Sequence, residues 1–301
     1  MDFRQLESFV TIVKYNSFTR AAEELFLTQP TLTAHIQSLE KELGTILFDR
    51  CGKMITLTEA GQIMYNHAVN ILNMKEQAFY SLARYEGHLE GVLSIASSTV
   101  PQKYLLPGLL TDFSCQYPYI TYNLRQFDSS GVLDAIISGS MDFGFVGSST
   151  AYPELEMLKL CDDQLLLIAA NKGKFASYRQ HTVLWEQVKD EKFILRPEGS
   201  ATGKLFINGL REKGIDIKDL HVIAHIEDPD TIKRCVRAGL GVAVVSEKSV
   251  EEEIELGLLK GFYIADMELR RGFYFIKHKK RVLNPVARAF QEFIEGSIYN
   301  K

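Results

Sequence analysis

Hydroxyl side chains follow apolar segments at several points in the second half of the chain, and their chemistry suits the binding of a small anion. Six of them are candidate contacts: Ser98, Thr99, Ser148, Ser149, Ser200 and Thr202. Hydroxyls and the free backbone N–H groups at the start of a helix donate hydrogen bonds to a carboxylate, sulfate or phosphate. Because Ser and Thr are also common helix N-caps, any one of these residues alone is as consistent with a structural role as with a binding role.

The elements around these residues predict how they are brought together. From Gly91 onward the chain alternates strand-like apolar runs with helical segments, which predicts an α/β fold with parallel strands and right-handed crossovers. In open α/β sheets, small molecules bind beyond the carboxyl ends of the strands, where loops lead into helices. We therefore expect Ser98, Thr99, Ser200 and Thr202 to face one another across a cleft. Their hydroxyls and backbone donors would hold an anion without a Lys or Arg in contact with it.

A second group of polar side chains, near the N-terminus, has the types and spacing needed to read DNA. Residues 17–50 predict two short helices joined by a tight turn, and the second runs from Gln29 to Leu43 with Thr28 as its N-cap. Apolar residues at intervals of four and three form its buried stripe. The outward-facing candidates are Gln29, Pro30, Thr31, Thr33 and His35. Short side chains that donate and accept hydrogen bonds suit the major groove, where each base pair shows a distinct pattern.

The segment from Ile46 to Thr58 has apolar ends around a short turn, which predicts a two-stranded wing. Arg50 and Lys53 lie in this turn, where they are expected to contact a phosphate backbone or a minor groove. The alternative interpretation is a turn whose cations are merely solvated.

Five short motifs in this region resemble, in order, the winged helix-turn-helix of LysR-type transcriptional regulators. They are SF-x-x-AA-x-x-L from Ser17, QP at Gln29, LE-x-x-LG from Leu39, LF-x-R from Leu47 and LT-x-AG from Leu57. The resemblance implies binding to double-stranded DNA at a promoter inverted repeat by a homodimer or homotetramer. The chain departs from the family at residues 34–38, where members often carry basic residues and this sequence reads AHIQS.

Residues 58–88 predict a single long helix that pairs with a second copy of the chain. They contain no proline, and a helix of about 30 residues would be about 45 Å long. Apolar residues at alternating steps of four and three give a heptad seam with these candidate dimerisation residues: Met64, Ala68, Ile71, Ala78 and Leu82. The alternative is a helix buried inside one large domain.

The remainder of the chain also resembles the LysR family. The matching motifs are YLLP from Tyr104, YP at Tyr117 and DFGFVG from Asp142. The resemblance implies a two-lobed effector domain similar to the type 2 periplasmic-binding proteins, and it points to the same hydroxyl-bearing loops as the effector cleft. The expected boundaries are a DNA-binding domain at residues 1–60, a linker helix at 58–88, lobe I at 89–162 and 268–301, and lobe II at 163–267.

Other classes of function receive little support from the sequence. Gly199 to Lys204 reads GxxxGK, one residue short of a P-loop, and the residues after Gly147 lack the final glycine of a nucleophile elbow. The four cysteines are scattered without a CxxC pair or a histidine at ligand spacing, so neither a metal nor another cofactor is expected. The longest apolar runs are too short for a membrane span, and no secretory signal is recognisable, so we expect a soluble, cytoplasmic protein.

Charge alone would not identify a nucleic-acid-binding protein. The formal net charge is −4, and residues 1–60 contain six Lys or Arg against eight Asp or Glu. We therefore expect several copies to supply the phosphate contacts. The function expected from the sequence is a homo-oligomeric, non-enzymatic regulator that binds DNA and a small anionic effector between two lobes. Two alternatives stay open: a small-molecule-binding protein with an incidental N-terminal module, and an α/β enzyme.

Overall fold

A computed structural model describes residues 1–49, 55–83, 89–148, 152–197 and 199–299 of the 301-residue chain. The N-terminal elements are α1 (Phe3–Tyr15), α2 (Phe18–Glu24), α3 (Gln29–Leu43), β1 (Phe48–Asp49), β2 (Thr56–Leu57) and the long helix α4 (Glu59–Ala83). The antiparallel pairing of β1 with β2 confirms the wing. The turn between these strands, with Arg50 and Lys53, lies outside the described residues.

Local signals set the limits of the two helices of the helix-turn-helix. The Ser17 hydroxyl accepts from the Arg20 amide at the start of α2, and the Thr28 hydroxyl accepts from the Thr31 amide at the start of α3. Gly44 ends α3 with φ of +67°, a left-handed conformation that glycine adopts without steric cost. The helices enclose a core around Phe9, whose ring makes edge contacts with the rings of Phe48 and Tyr65.

The long helix α4 packs in part against its own domain, so part of the seam that was predicted to pair with a second copy is buried within the chain. Tyr65 and Ala68 are 4% and 0% exposed within the core shared with α1 and α3, so Ala68 of the predicted seam has no surface left for a partner. Met64 and Ile71 pack, partly buried, against that core, and Ala78 is exposed. The side chain of Leu82 lies outside the described part of the helix.

A mixed α/β region follows α4. Its strands are β3 (Glu90–Ser97), β4 (Tyr119–Gln126), β5 (Phe143–Val146), β6 (Leu155–Ala170), β7 (Thr182–Val183), β8 (Lys192–Leu195), β9 (His221–His225), β10 (Val242–Ser246), β11 (Leu259–Ile264) and β12 (Arg270–His278). Its helices are α5 (Thr99–Tyr104), α6 (Leu106–Gln116), α7 (Ser129–Ser138), α8 (Lys174–Ser177), α9 (Ala201–Glu212), α10 (Pro229–Ala238), α11 (Glu251–Glu255) and α12 (Pro285–Tyr299). None of the helices in the described ranges is long and apolar enough to cross a bilayer.

The strands are parallel within each half of this region and antiparallel where the halves are joined. The order is β4-β3-β5-β12-β6-β10-β8-β9, and β11 pairs with both β6 and β7. β3 is parallel to β4 and β5, and β8 is parallel to β9 and β10, as predicted. β6 carries the chain from one half to the other, and its first part, residues 155–164, pairs antiparallel with the returning strand β12, while residues 165–170 pair with β10 and β11. The sheet is therefore mixed and not wholly parallel.

The two halves have separate cores on both faces of their strands, and we call them lobe I and lobe II. The cores of lobe I contain Phe113, Phe143 and Phe290 on one face and Val132 and Ile136 on the other. Those of lobe II contain Trp185 and Phe206 on one face and Ile232 and Val236 on the other. Among the described residues, β6 and β12 connect the two lobes, and the loops at the carboxyl ends of the parallel strands meet between the lobes.

Candidate functional site

The start of α3 presents a polar surface that is open to a partner. Gln29, Pro30 and Thr31 are exposed, while Thr33 is partly buried and donates its hydroxyl to the Gln29 carbonyl at 2.9 Å. The hydroxyls of Thr28 and Thr31 share a hydrogen bond of 2.8 Å, which fixes the orientation of the Thr31 side chain. Gln29 thus has the longest exposed side chain at this end of the helix. Its terminal amide is suited to hydrogen-bond with the edge of a base.

His35 is held against the first helix. Its Nδ1 and the Ser8 hydroxyl share a hydrogen bond of 2.7 Å, and Ser8 is only 1% exposed. Next to it, the Gln5 amide donates to the Ser38 hydroxyl at 3.0 Å. These contacts fix α3 on α1, so Nε2 is the atom of His35 left to meet a partner. Ser8 is a structural contact that the sequence analysis did not identify.

A cavity of about 560 Å³ lies between the lobes, and we call it the interlobe cavity. It brings together four of the six predicted hydroxyl residues, namely Ser98, Thr99, Ser200 and Thr202. Ser148 lines a neighbouring cavity instead, and Ser149 lies outside the described residues. The size is in the range of pockets that enclose small molecules.

Two of these hydroxyls already take part in the local structure. Ser200 is the N-cap of α9, where its hydroxyl accepts from the Gly203 amide at 3.5 Å. Thr202 is 4% exposed, and its hydroxyl accepts from Nη1 of Arg271 at 3.0 Å. Each hydroxyl keeps its own hydrogen, which it can donate to a ligand.

The interlobe cavity also contains two arginines, which corrects the expectation that hydroxyl and backbone donors alone would line it. Arg196 follows β8, and Arg271 lies in β12. Nε of Arg196 and Nη2 of Arg271 are buried without a hydrogen-bond partner among the described residues. A buried donor that is left unpaired costs free energy, and a ligand carboxylate or phosphate would supply the acceptors.

Arg271 is anchored from beneath by a buried polar network. Its Nε donates to Asp163 at 2.8 Å, and the Ser246 hydroxyl donates to the other oxygen of that carboxylate at 2.7 Å. The side chains of Arg271 and Asp163 are 7% and 0% exposed. Thr202, Asp163 and Ser246 therefore orient the guanidinium, whose remaining Nη2 is the group available to a ligand.

The two arginines repel each other in the cavity, although the carboxylates of Asp228 and Glu227 act in the opposite direction on Arg196. Burial lowers the pKa of Arg196, and the neighbouring positive charge of Arg271 lowers it further. Burial likewise lowers the pKa of Arg271, although Asp163 opposes the shift. Both guanidiniums stay protonated at neutral pH because their ordinary pKa is so high. An anion between them would relieve the repulsion and the desolvation that these shifts report.

An ion-pair cluster joins the lobes beside the cavity. Lys103 of lobe I contacts Asp228 and lies 2.6 Å from a carboxylate oxygen of Asp230 in lobe II, while the Tyr104 hydroxyl donates to Asp230 at 2.7 Å. Burial favours the neutral carboxyl, but hydrogen bonds from Lys103, Tyr104 and Lys233 hold the pKa of Asp230 below its usual range. This cluster stabilises the arrangement in which the lobes are close.

The described residues contain no cluster of three or more His, Cys, Asp or Glu side chains suited to holding a metal ion.

Arg196 was recognisable in the sequence in principle, because it directly follows a buried strand at the edge where the hydroxyls were predicted. Arg271 was not, because it lies within a strand and its orientation depends on Asp163, which is 108 residues away in the chain.

Comparison with known proteins places both halves in one family. Residues 3–62 match the profile of the bacterial regulatory helix-turn-helix proteins of the lysR family, and residues 86–297 match the LysR substrate binding domain. A probable RuBisCO transcriptional regulator from Cyanophora paradoxa is 31% identical over 293 residues, which cover 96% of this chain and 90% of that protein.

Solved structures show the same fold. Full-length OxyR from Pseudomonas aeruginosa superposes with a TM-score of 0.74 at 19% identity, covering 98% of this chain and 95% of that one. The regulatory domain of Synechocystis CcmR in complex with 2-PG gives a TM-score of 0.62 at 22% identity, covering 70% of this chain and 99% of that one. At these identities, the structural likeness establishes the fold alone.

Proposed function

This chain belongs to the LysR family of transcriptional regulators, and we propose that it binds a promoter through α3 and responds to a small anion held in the interlobe cavity. Its relatives regulate transcription and are not enzymes, so the enzymatic alternative is set aside. The helix-turn-helix and the effector-binding domain together make it a DNA-binding regulator with a site for a small molecule.

The observation that carries the proposed effector class is the pair of guanidiniums in the interlobe cavity. Arg196 and Arg271 each have a buried N–H without a partner among the described residues. The two side chains come from lobe II and from the strand that joins the lobes, and the hydroxyls of Ser98 and Thr99 come from lobe I. An anion that contacts all four would bridge the lobes and favour their closure.

The side chains that line the cavity further restrict the chemical class of the ligand. Asp128, Glu227 and Asp228 also line it, so the cavity offers carboxylate acceptors as well as the two guanidiniums. A small carboxylate or phosphate that also carries hydroxyl groups matches both features, since its hydroxyls can donate to these carboxylates. The complex of the CcmR regulatory domain with 2-PG supports a small-molecule effector for a domain of this fold.

On the DNA side, we propose that Gln29 and Thr31 contact base edges, with Pro30, Thr33 and His35 beside them. Arg50 and Lys53, in the turn of the wing, are proposed to contact phosphate. Two copies that pair through α4 would place two α3 helices on the half-sites of an inverted repeat. The pairing of copies supplies the phosphate contacts that a single N-terminal domain with few cations lacks.

A thermal-shift screen of small carboxylates, sulfate and phosphate tests the proposed effector class. The parent protein should be stabilised by at least one of them, and Arg196→Met should remove that stabilisation. Arg211→Met, which removes an exposed cation elsewhere in lobe II, is the matched control and should keep it. If the stabilisation persists in Arg196→Met, the anion binds elsewhere and the proposed site is wrong.

A further inference from the structure

The short helix α5 of lobe I has one end at the interlobe cavity and the other in the ion-pair cluster between the lobes. Thr99 and Pro101 line the cavity, whereas Lys103 and Tyr104, at the end of the helix, contact lobe II. In lobe II, Asp228 lines the same cavity and is the N-cap of α10. The cluster therefore connects two helices that border the cavity from opposite lobes.

The carboxylates that receive these contacts are held in place by lobe II itself. Asp228 accepts hydrogen bonds of 2.9 Å from both the amide and the hydroxyl of Thr231. Lys233, whose side chain is 9% exposed, lies 3.1 Å from one oxygen of Asp230 and 2.7 Å from an oxygen of Glu253. Both acceptors are thus already ordered when the lobes meet, so little side-chain entropy is lost on the lobe II side of the contact.

The charged contacts between the lobes are concentrated beside α5 and α10. Outside the crossover strands, every ion pair that the described residues form between the lobes involves Lys103. Where α7 approaches α9, a carboxylate oxygen of Asp128 instead faces Gly199, and a Cβ at that glycine would lie 3.5 Å from it, an ordinary contact distance. The attraction that draws the lobes together therefore comes chiefly from the cluster around Lys103.

The cluster stays charged at neutral pH. Burial disfavours the ammonium form of Lys103, but hydrogen bonds to Asp228 and Asp230 raise its pKa overall, and the bond from Lys103 lowers the pKa of Asp228. Burial and the hydrogen bond to Asp230 raise the pKa of Tyr104 to about 12, so its hydroxyl keeps the proton that it donates. The side chains of Lys103 and Asp228 are 29% and 43% exposed, so dissolved salt screens their attraction. Ionic strength is thus the condition that weakens the cluster.

We propose that Lys103, Tyr104, Asp228 and Asp230 form an interlobe latch, which keeps the lobes closed in the ligand-free protein and opens as the ionic strength rises. Two strands connect the lobes, and the latch sets the fraction of molecules in which the lobes are together. Its effect on ligand affinity rests on the proposed function: an anion that bridges the lobes binds the closed form, so its apparent affinity falls in proportion to the closed fraction.

The distance between the lobes in the full-length, ligand-free protein tests the latch directly. Spin labels introduced as unnatural amino acids at two exposed positions, Asp112 of lobe I and Lys218 of lobe II, report this distance by double electron–electron resonance. Dilution with unlabelled protein suppresses distances between copies. The parent should give one narrow distribution at low salt, and Lys103→Met should add a population with separated lobes. Lys277→Met, which removes an ion-paired lysine within lobe I, is the matched control and should behave as the parent.

Salt and a charge-neutral variant distinguish the latch from a general loss of stability. Between about 0.1 and about 1 M salt the Debye length falls from about 10 to about 3 Å, so the parent should approach the distribution of Lys103→Met, which should itself change less. Tyr104→Phe removes one interlobe hydrogen bond without changing the charge and should shift the distribution in the same direction. Tyr122→Phe, which removes a hydroxyl bonded to Ser114 within lobe I, should not. A single parental distribution in both Lys103→Met and Tyr104→Phe would show that other contacts hold the lobes, and the latch would be wrong.

Calorimetric titration with sulfate tests the effect of the latch on affinity. Tyr104→Phe should bind sulfate more weakly by the same factor by which its closed fraction falls, because its charge is that of the parent. Parental affinity in a Tyr104→Phe protein whose lobes separate would overturn this link. If the parent itself does not bind sulfate, the proposed anion site and the effect on affinity are contradicted, whereas the latch is decided by the distances alone.

Discussion

The side-chain amide of Asn70, in the long helix α4, both accepts and donates a hydrogen bond with the segment that precedes α12. Its Oδ1 accepts from the Val282 amide at 2.9 Å, and its Nδ2 donates to the Lys280 carbonyl at 3.3 Å. Asn73 donates to the Val282 carbonyl at 2.6 Å. The helix that leads from the DNA-reading domain is therefore fastened to lobe I by side-chain amides one turn apart.

Replacing Asn70 by Ala should loosen this attachment. A typical intramolecular hydrogen bond contributes roughly 0.5–1.5 kcal/mol, so losing both bonds should reduce the free energy of unfolding by about 1–3 kcal/mol. Hydrogen exchange should accelerate at the Val282 amide. Asn66→Ala, at an exposed position one turn earlier on α4, is the control and should leave that amide protected. Unchanged exchange in Asn70→Ala would show that the contact does not hold the segment.

Gln29→Ala should separate base reading from phosphate binding. Loss of a side chain that pairs with a base costs about 1–3 kcal/mol at the specific site, and it costs little on unrelated DNA. Titration of both DNAs at several salt concentrations measures the effect, and the salt dependence should stay the same. Gln62→Ala, an exposed glutamine on α4, is the matched control. Equal weakening on both DNAs would remove Gln29 from the base-reading role.

Thr202→Val should affect both the stability and the ligand response. Thr202 is the acceptor for Nη1 of a buried guanidinium, so its loss should cost roughly 1–3 kcal/mol of unfolding free energy and reduce stabilisation by the anion. Thr99→Val is the control for the stability of the ligand-free protein, since the Thr99 hydroxyl accepts a long 3.4 Å bond from Gln126. Chemical denaturation without sulfate compares the stabilities of the two variants, and denaturation with sulfate, which both variants should bind less well, measures the ligand response. A Thr202 variant as stable as the Thr99 variant would contradict the role given to the network.

Asp142→Asn should change how stability depends on pH. Burial raises the pKa of Asp142 to about 6, although the Ser94 amide, Arg281 and Lys14 oppose the shift and Glu76 adds to it. A raised carboxyl pKa stabilises the fold below the ordinary value near 4, and this contribution is lost as the pH rises through 6. The Asn variant should therefore be more stable than the parent by about 1–3 kcal/mol at pH 7.5 and equal to it below pH 4. Equal stability at both pH values would mean that the carboxyl titrates normally.

Met74→Asp should weaken self-association while leaving the fold intact. Ile63 and Met74 are 57% and 59% exposed on α4, whereas Ala68 lies in the core of the chain itself. The apolar surface that a second copy can cover therefore runs through Ile63 and Met74. Analytical ultracentrifugation should show dissociation at concentrations at which the parent stays associated. If Met74→Asp associates as the parent does, the copies meet through another surface.

The sequence predicted features governed by neighbouring residues more closely than features governed by distant ones. The limits of α3 were predicted to the residue, because Thr28, Pro30 and Gly44 are local start and stop signals. The burial of Ala68 was missed, because periodicity shows that a helix has an apolar face and does not show what covers it. Arg271 was missed for the same reason, since its partners Asp163 and Thr202 are brought to it only by the folded crossover strands.

The helix α7 touches both the ligand-binding region and the support of α4. Its first residue, Ser129, lines the interlobe cavity, and the carbonyls of Ile136 and Ile137 near its last turn accept from Arg281 at 2.9 and 3.3 Å. Arg281 lies between Lys280 and Val282, the two residues that bind Asn70. A ten-residue helix is a stiff rod of about 15 Å. One end of this short rigid helix therefore borders the interlobe cavity, and the other end holds the segment to which Asn70 of α4 is bonded.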